Sequence, residues 1–176
     1  EGAAALGGVL AVFGDDHGGK SSVSSHQSEQ VFIAASVPIL YPSTTAEILE
    51  FGLFGWALSR YSGLYVGMKC VTDTLDLSTS VNLPDIHKPL VLPADFDYST
   101  GELNLRPYQA QLVQESLVFN RRLPAAQAFV RANKLDRVVI DAPVRKLSIV
   151  SAGKAYLDVR QALDDLGMDL QRCAKI

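Results

Sequence analysis

Residues 8–13 read Gly-Val-Leu-Ala-Val-Phe, and this short run decides the fold class. It is apolar, rich in β-branched residues and flanked by glycines, which is typical of a strand buried on both faces of a parallel sheet. Similar runs at residues 37–41 and 64–71 predict two more strands, with helical segments between them. This alternation predicts an α/β fold with a mostly parallel sheet and helices on both faces.

The clearest helix lies between the second and third strands. One of the hydroxyl residues at 43–45 can cap its start, and Gly63 is a suitable end. Trp56, the single tryptophan, shares one helix face with Leu49 and Leu53. For this reason we expect Trp56 to pack in the core or in an interface and not to bind a ligand.

The sequence of the second half of the chain predicts further helices and strands. Residues 107–130 have the composition of a helix, which Pro124 should divide into two. Short apolar runs at 138–140 and 147–150 predict strands, and residues 155–166 predict an amphipathic helix. We therefore divide the chain into a first α/β domain at residues 1–141 and the beginning of a second α/β unit at residues 145–176.

The composition limits the classes of function. The chain has 176 residues and a net charge of −3, so it has no surplus of positive charge with which to bind nucleic acid. Its longest apolar stretch is interrupted by Glu50 and Arg60, so we expect no membrane span. Cys70 and Cys173 are its two cysteines, and we interpret them as ordinary thiols of a reducing, cytoplasmic compartment.

The loop after the first strand matches a nucleotide-binding pattern. Residues 14–21 (GDDHGGKS) satisfy the G-x-x-x-x-G-K-[ST] rule of a P-loop, in which backbone amides surround a phosphate. Asp15 and Asp16, however, would stand in the cavity that has to hold a polyanion. The residues after Lys20 are mostly serines, which favour turns over a helix. A P-loop nucleotide-binding domain is therefore an alternative and not our first interpretation.

The same loop can instead form a polar binding surface at the carboxyl end of the first strand, where open α/β sheets bind their ligands. It can also be a solvated loop whose polar side chains cap neighbouring backbone groups, and the residues leave both interpretations open. The two histidines of the loop could orient a substrate carboxylate or move a proton, because histidine titrates near neutral pH. The candidate cofactor or substrate contacts are Asp15, Asp16, His17, Ser21, Ser22, His26, Gln27 and Glu29.

Longer segments around this loop resemble a known family. They are residues 7–22 (GGVLAVFGDDHGGKSS), 26–29 (HQSE), 38–42 (PILYP), 46–63 (AEILEFGLFGWALSRYSG) and 147–163 (LSIVSAGKAYLDVRQAL). Together they closely resemble the large, fused bacterial form of indolepyruvate ferredoxin oxidoreductase. This family belongs to the thiamine diphosphate-dependent 2-oxoacid:ferredoxin oxidoreductases.

The resemblance implies a fold and an activity. Residues 1–141 would be part of a pyrimidine-binding-like α/β domain, and residues 145–176 the beginning of a transketolase C-terminal-like domain. The intact enzyme would oxidatively decarboxylate indolepyruvate or a related aryl 2-oxoacid to an acyl-coenzyme A. It would use thiamine diphosphate with Mg²⁺ and iron–sulfur clusters, with ferredoxin as the electron acceptor. Its implied partners are ferredoxin, coenzyme A, the remainder of the same polypeptide and a second subunit of a homodimer.

The chain departs from the family pattern in three respects. It shows no equivalent of the glutamate that activates the thiamine ring, no diphosphate-binding Gly-Asp-Gly motif, and no cysteine cluster for iron–sulfur centres. It also begins without Met, which we interpret as a piece of a longer enzyme. We therefore expect the 176-residue chain alone to bind no cofactor and to be inactive. A non-catalytic assembly or regulatory domain is the remaining alternative.

Overall fold

The computed structural model describes residues 2–83, 89–98, 103–144 and 146–168. Cys173 lies outside these ranges. The described part contains a small parallel sheet and several helices, so the chain has an α/β fold. In chain order the elements are β1 (Leu10–Asp15), α1 (Glu29–Ala34), β2 (Ile39–Leu40), α2 (Thr45–Ser62), β3 (Val66–Val71), α3 (Thr72–Leu75), α4 (Gln111–Leu117), a π-helical turn (Val118–Arg122), α5 (Leu123–Ala132) and α6 (Lys154–Asp165).

The sheet has the strand order β1-β3-β2, and both strand pairs are parallel. In the register of β1 and β3, Leu10 pairs with Val66 and Asp15 pairs with Val71. Every residue of the central strand β3 is buried. Because all strands run the same way, their carboxyl ends lie at one edge of the sheet, where Asp15 ends β1.

Helices cover both faces of the sheet, as the alternation of elements predicts. On one face, the Cα of Gly55 in α2 approaches so closely that an added Cβ would lie 2.7 Å from Leu10 Cδ1 and 2.9 Å from Leu40 Cδ1. On the other face, Phe32 of α1 stacks on Phe13 of β1 with ring centroids 4.1 Å apart. The α/β architecture is therefore confirmed in the described residues.

The core lies between α2, α5 and one face of the sheet. Phe54 of α2 and Phe129 of α5 are buried against each other, with ring centroids 5.3 Å apart. Leu58 and Val66 are fully buried beside them. This contact attaches the helices of the second half of the chain to the sheet formed by the first half.

The predicted limits of α2 are confirmed. Thr44 is the N-cap, and its side chain accepts a hydrogen bond from the backbone N–H of Glu47 at 3.2 Å. The Glu47 carboxylate reaches back to the backbone N–H of Ser43 at 2.8 Å, which completes a reciprocal cap. Gly63 ends the helix with a φ of 75°, a left-handed conformation that favours glycine.

One local prediction is confirmed and another is wrong. The helical segment is divided near Pro124: a π-helical turn at Val118–Arg122 separates α4 from α5, and Pro124 occupies the first turn of α5. The runs at 138–140 and 147–150 are not strands. A strand needs a neighbour for its backbone hydrogen bonds, and none of the described strands pairs with these runs.

Replacing Gly63 with alanine should destabilise the protein. The added Cβ would lie 2.4 Å from the carbonyl oxygen of Leu103, and alanine disfavours the positive φ. We expect the free energy of unfolding to fall by about 1–3 kcal/mol, measured by urea denaturation. Gly14→Ala is the control, since no atom lies within 4 Å of the Cβ position at Gly14. Equal stability of Gly63→Ala and the wild type would contradict this account.

Candidate functional site

Lys69 is the centre of a polar cluster at the carboxyl edge of the sheet. It stands in the buried strand β3, and its residue is only 1% exposed. Its ammonium nitrogen lies 3.1 Å from Asp15 Oδ2 and 2.7 Å from His17 Nε2, and it also contacts the Glu29 carboxylate. The ring of Tyr41 covers the ammonium, with its centroid 4.8 Å away. A buried ammonium is tolerated because it is paired on several sides.

Asp15 is held by two kinds of donor. Ser28, just before α1, donates its hydroxyl to Asp15 Oδ1 at 2.6 Å and its backbone N–H to Oδ2 at 3.1 Å. Burial of the carboxyl group raises the pKa of Asp15, but the bonds from Ser28 and the charge of Lys69 outweigh burial and hold that pKa below its usual value. Asp15 is therefore an ionised structural partner of Lys69.

Glu29 and His17 form the outer side of the cluster. Glu29 lies in the first turn of α1, and its second oxygen, Oε2, is buried without a hydrogen-bond partner. An ammonium can only donate, so Nε2 of His17 accepts from Lys69 and the proton of the neutral ring lies on Nδ1. His17 itself is exposed. The outer side of the cluster thus offers an acceptor on Glu29 and a donor on His17.

The donor set of the cluster resembles that of a metal site. One ligand atom from each of Asp15, His17 and Glu29 lies within 4.8 Å of the others. Lys69, however, places its ammonium against all three residues. An ammonium and a divalent cation repel each other at such distances, so Lys69 takes the position of the cation.

In the loop after β1, the carboxylate of Asp16 occupies the place that a phosphate occupies in a P-loop. Its carboxylate accepts the backbone N–H groups of Lys20 at 2.9 Å, Ser21 at 2.7 Å and Ser22 at 2.9 Å. These backbone hydrogen bonds hold the pKa of Asp16 well below its usual value. The amides that would surround a nucleotide phosphate already bind a carboxylate of the same loop.

Lys20 does not point at this carboxylate. Its ammonium pairs with Asp73 Oδ1 at 2.8 Å on the surface, and no helix begins at Lys20. In a P-loop the lysine binds the terminal phosphates and the next residue opens a helix. Both features are lacking in the described loop, and the geometry therefore does not support the P-loop alternative.

His26 holds the loop together. Its Nε2 lies 3.2 Å from the Gly14 carbonyl oxygen, its Nδ1 lies 3.4 Å from the Ser24 carbonyl oxygen, and its backbone pairs with Asp16. Hydrogen bonds to these two carbonyl groups raise the pKa of His26, because both ring nitrogens then act as donors. Because both ring nitrogens are bound to backbone carbonyl groups of the loop, His26 supports the loop in this arrangement and does not face a substrate.

The predicted site residues thus separate into three sets. Asp15, His17 and Glu29 meet around Lys69, whereas Asp16, Ser21, Ser22 and His26 stabilise the loop, and Gln27 is exposed. Sequence reasoning missed Lys69, Ser28 and Tyr41. A signal was present for Lys69: a lysine inside the otherwise apolar run 64–71 has to find a carboxylate when the strand is buried.

Comparison with known proteins identifies one part of the chain. Residues 136–176 match the family model described as the indolepyruvate ferredoxin oxidoreductase middle domain. The resemblance of the sequence to this oxidoreductase family is thereby confirmed for this segment. A search of curated proteins and a search of solved structures found no match.

Within the matched residues 136–176, called the family segment below, Gly153 and Lys154 contact Tyr41, which borders the polar cluster. Gly153, the residue before α6, has a φ of 56°, and an added Cβ would lie 2.3 Å from the Tyr41 ring. The backbone N–H of Lys154 also hydrogen-bonds to Tyr41. Tyr41 therefore lies between the start of α6 and the Lys69 ammonium.

In the described part of the chain, no helix has both the length and the apolar character needed to cross a membrane.

Replacing Lys69 with methionine should strongly destabilise the protein. The substitution leaves the carboxylates of Asp15 and Glu29 without their buried cation, and we expect a loss of about 3–5 kcal/mol in urea denaturation. Lys20→Met is the matched control, because it breaks an exposed ion pair and should cost no more than about 1 kcal/mol. Similar losses for the two variants would show that the Lys69 cluster has no special role.

The stability of the protein should fall in acid, in part through Asp16. Because its pKa is lower in the folded protein than in the unfolded chain, where it is about 3.9, its contribution is complete above that value and is lost as the pH falls below it. Asp16→Asn should therefore reduce the loss of stability between pH 6 and pH 3, followed by urea denaturation. Asp136→Asn, at an exposed position, is the control. An unchanged pH dependence in Asp16→Asn would contradict this assignment.

Proposed function

We propose that this chain is part of an indolepyruvate ferredoxin oxidoreductase. The enzyme would oxidatively decarboxylate indolepyruvate or a related aryl 2-oxoacid to an acyl-coenzyme A and pass the electrons to ferredoxin. The family match at residues 136–176 carries the proposal. A second observation supports it: the matched segment contains α6, and the residue before this helix, Gly153, packs on Tyr41 over the Lys69 cluster.

The described residues fit one side of a thiamine diphosphate site. Thiamine diphosphate with Mg²⁺ supplies the electron sink for decarboxylation when it is bound. The buried Oε2 of Glu29 lacks a donor, so it suits an N–H or O–H group of a ligand. The loop amides are not available to a diphosphate, because Asp16 accepts them. The diphosphate and its metal would then be held by residues other than these.

The iron–sulfur clusters do not fit this chain alone. A cluster takes about four thiolates, and the chain contains two cysteines. Cys70 is buried in β3, where burial raises the pKa of its thiol and disfavours the thiolate that a cluster requires. We therefore assign the clusters, and the contacts with ferredoxin and coenzyme A, to the remainder of the polypeptide.

The residues of the cluster have a defined role in this proposal. Lys69 pairs with the carboxylates of Asp15 and Glu29 and excludes a second cation from the site. His17 offers its Nδ1 proton to an oxygen of the oxoacid, and Glu29 accepts a proton or hydrogen bond from the cofactor or substrate. His17 and Glu29 would thereby orient the ligand, and His26 would hold the loop that carries them.

The 176-residue chain alone should bind thiamine diphosphate weakly and should not turn over 2-oxoacids. Isothermal titration with thiamine diphosphate and Mg²⁺, together with an assay of indolepyruvate decarboxylation, measures both. Tight binding or turnover by the chain alone would contradict our assignment of the diphosphate site to other residues.

In the intact polypeptide, Glu29→Gln should lower indolepyruvate-dependent reduction of ferredoxin by about 10–100-fold, because the amide loses the charged acceptor. Glu115→Gln, at an exposed position of α4, is the control. Wild-type polypeptide that fails to reduce ferredoxin with any aryl 2-oxoacid would overturn the proposed reaction. It would favour a non-catalytic assembly domain instead.

A further inference from the structure

Residues 91–98 (VLPADFDY) lie on the surface of the fold and belong to none of the described helices and strands. We call them the strap. Val91 and Leu92 are 54% and 71% exposed, and Phe96 is partly buried. The strap therefore adds little to the core, and what holds it in place are side chains of α2, the π-helical turn and α5.

The first of these contacts is a pair of hydrogen bonds to the backbone of Val91. Asn133 follows α5 directly, and its Oδ1 accepts the Val91 N–H at 2.9 Å while its Nδ2 donates to the Val91 carbonyl oxygen at 2.9 Å. The same Nδ2 donates to the Phe129 carbonyl oxygen at 2.9 Å, which fixes the amide at the end of α5. Main-chain hydrogen bonds of this kind give affinity for a peptide without regard to its side chains.

Two arginines bind the acidic part of the strap. Arg131 of α5 donates to Asp95 Oδ2 at 2.8 Å. Arg121 of the π-helical turn donates to the backbone carbonyl oxygen of Asp97 at 2.6 Å, and its guanidinium lies 5.0 Å from the ring centroid of Phe96. A surface with two guanidinium groups thus faces a segment in which an aromatic residue stands between two aspartates.

Tyr61, near the end of α2, supplies the aromatic part of the contact. Phe96 meets the Tyr61 ring edge-on at 6.3 Å, and Tyr98 packs on it at 5.2 Å and donates its hydroxyl to the Tyr61 carbonyl oxygen. On its other side Tyr61 stacks on Phe129 at 5.0 Å, in the contact between α2 and α5. Occupation of this surface is therefore communicated directly to the core.

We propose that these four residues form a recognition site for a short acidic–aromatic peptide, and that the strap is its intramolecular ligand. We call Tyr61, Arg121, Arg131 and Asn133 the strap site. The contacts define the ligand: an acidic residue for Arg131, an aromatic residue next to it for Arg121 and Tyr61, and a backbone amide for Asn133. A partner protein that carries this alternation would displace the strap.

The strap is held in a way that permits exchange. The ion pair of Arg131 and Asp95 is 60% and 57% exposed, so water and salt screen it, and the strap can leave without opening the core. Because the strap is tethered, it competes with an effective concentration on the order of millimolar. A free peptide should therefore bind the wild-type chain poorly and a chain with a weakened strap well. This proposal does not depend on the proposed reaction.

Fluorescence anisotropy of a labelled peptide with the sequence of residues 89–98 (PLVLPADFDY), titrated with the 176-residue chain, tests the proposal. Asp95→Arg places a like charge before Arg131, and Phe96→Ala removes the central ring, so each variant weakens the strap and leaves the strap site unchanged. Each should bind the peptide at least about tenfold more tightly than the wild type, since more of the strap site is then open.

Changes in the strap site should abolish this gain. In the Phe96→Ala chain, Asn133→Ala should weaken peptide binding by at least about tenfold, because two hydrogen bonds to the peptide backbone are lost. Arg131→Ala should weaken it independently through the lost ion pair. Asn120→Ala, at an exposed position of the π-helical turn, is the matched control and should leave binding unchanged.

Circular dichroism verifies that each variant is folded, and the surface positions of Asp95 and Phe96 make two independent ways to release the strap. A peptide in which both aspartates and the phenylalanine are replaced by alanine should not bind. The proposal is overturned if neither strap variant binds the peptide, if the wild type binds it equally well, or if Asn133→Ala and Arg131→Ala both leave its affinity unchanged.

Discussion

The structure at the carboxyl edge of the sheet depends on one buried charge, the ammonium of Lys69. A single ammonium in a strand that is buried at every position has to be compensated, and the chain supplies Asp15, Glu29 and the imidazole of His17 for this purpose. These partners come from the end of β1, the loop after it and the start of α1. Lys69 therefore joins three consecutive parts of the chain at one point.

A second carboxylate organises the loop itself. Asp16 binds three successive amides, and the backbone of His26 closes the other side. A motif with the letters of a P-loop thus forms a ring of amides around an internal anion. The difference lies in Asp16, whose side chain is short enough to turn back into its own loop. A sequence pattern alone does not show that the loop amides already bind a carboxylate of the same loop, whereas the hydrogen-bond geometry does.

The two outer faces of the fold differ in character. The carboxyl edge of the sheet is polar and organised around fixed charges, which suits a ligand, whereas the exposed side of α2 carries the apolar side chains of Leu49, Leu53 and Trp56. The family segment connects to the polar edge, because the start of α6 packs on Tyr41 and Tyr41 covers Lys69. Changes in the family segment can in this way alter the environment of the buried charge.

The sequence by itself determined the α/β class, the three strands of the first half and the limits of α2, because apolar periodicity, Thr44 and Gly63 are local signals. It also indicated the polar loop and the resemblance to the matched family. Only the tertiary structure decided that Lys69 joins Asp15, Glu29 and His17, since residues up to 54 positions apart meet there only after the strands pair. It likewise decided that the apolar runs at 138–140 and 147–150 are not strands. A strand depends on a hydrogen-bonding neighbour, and local sequence does not specify that neighbour.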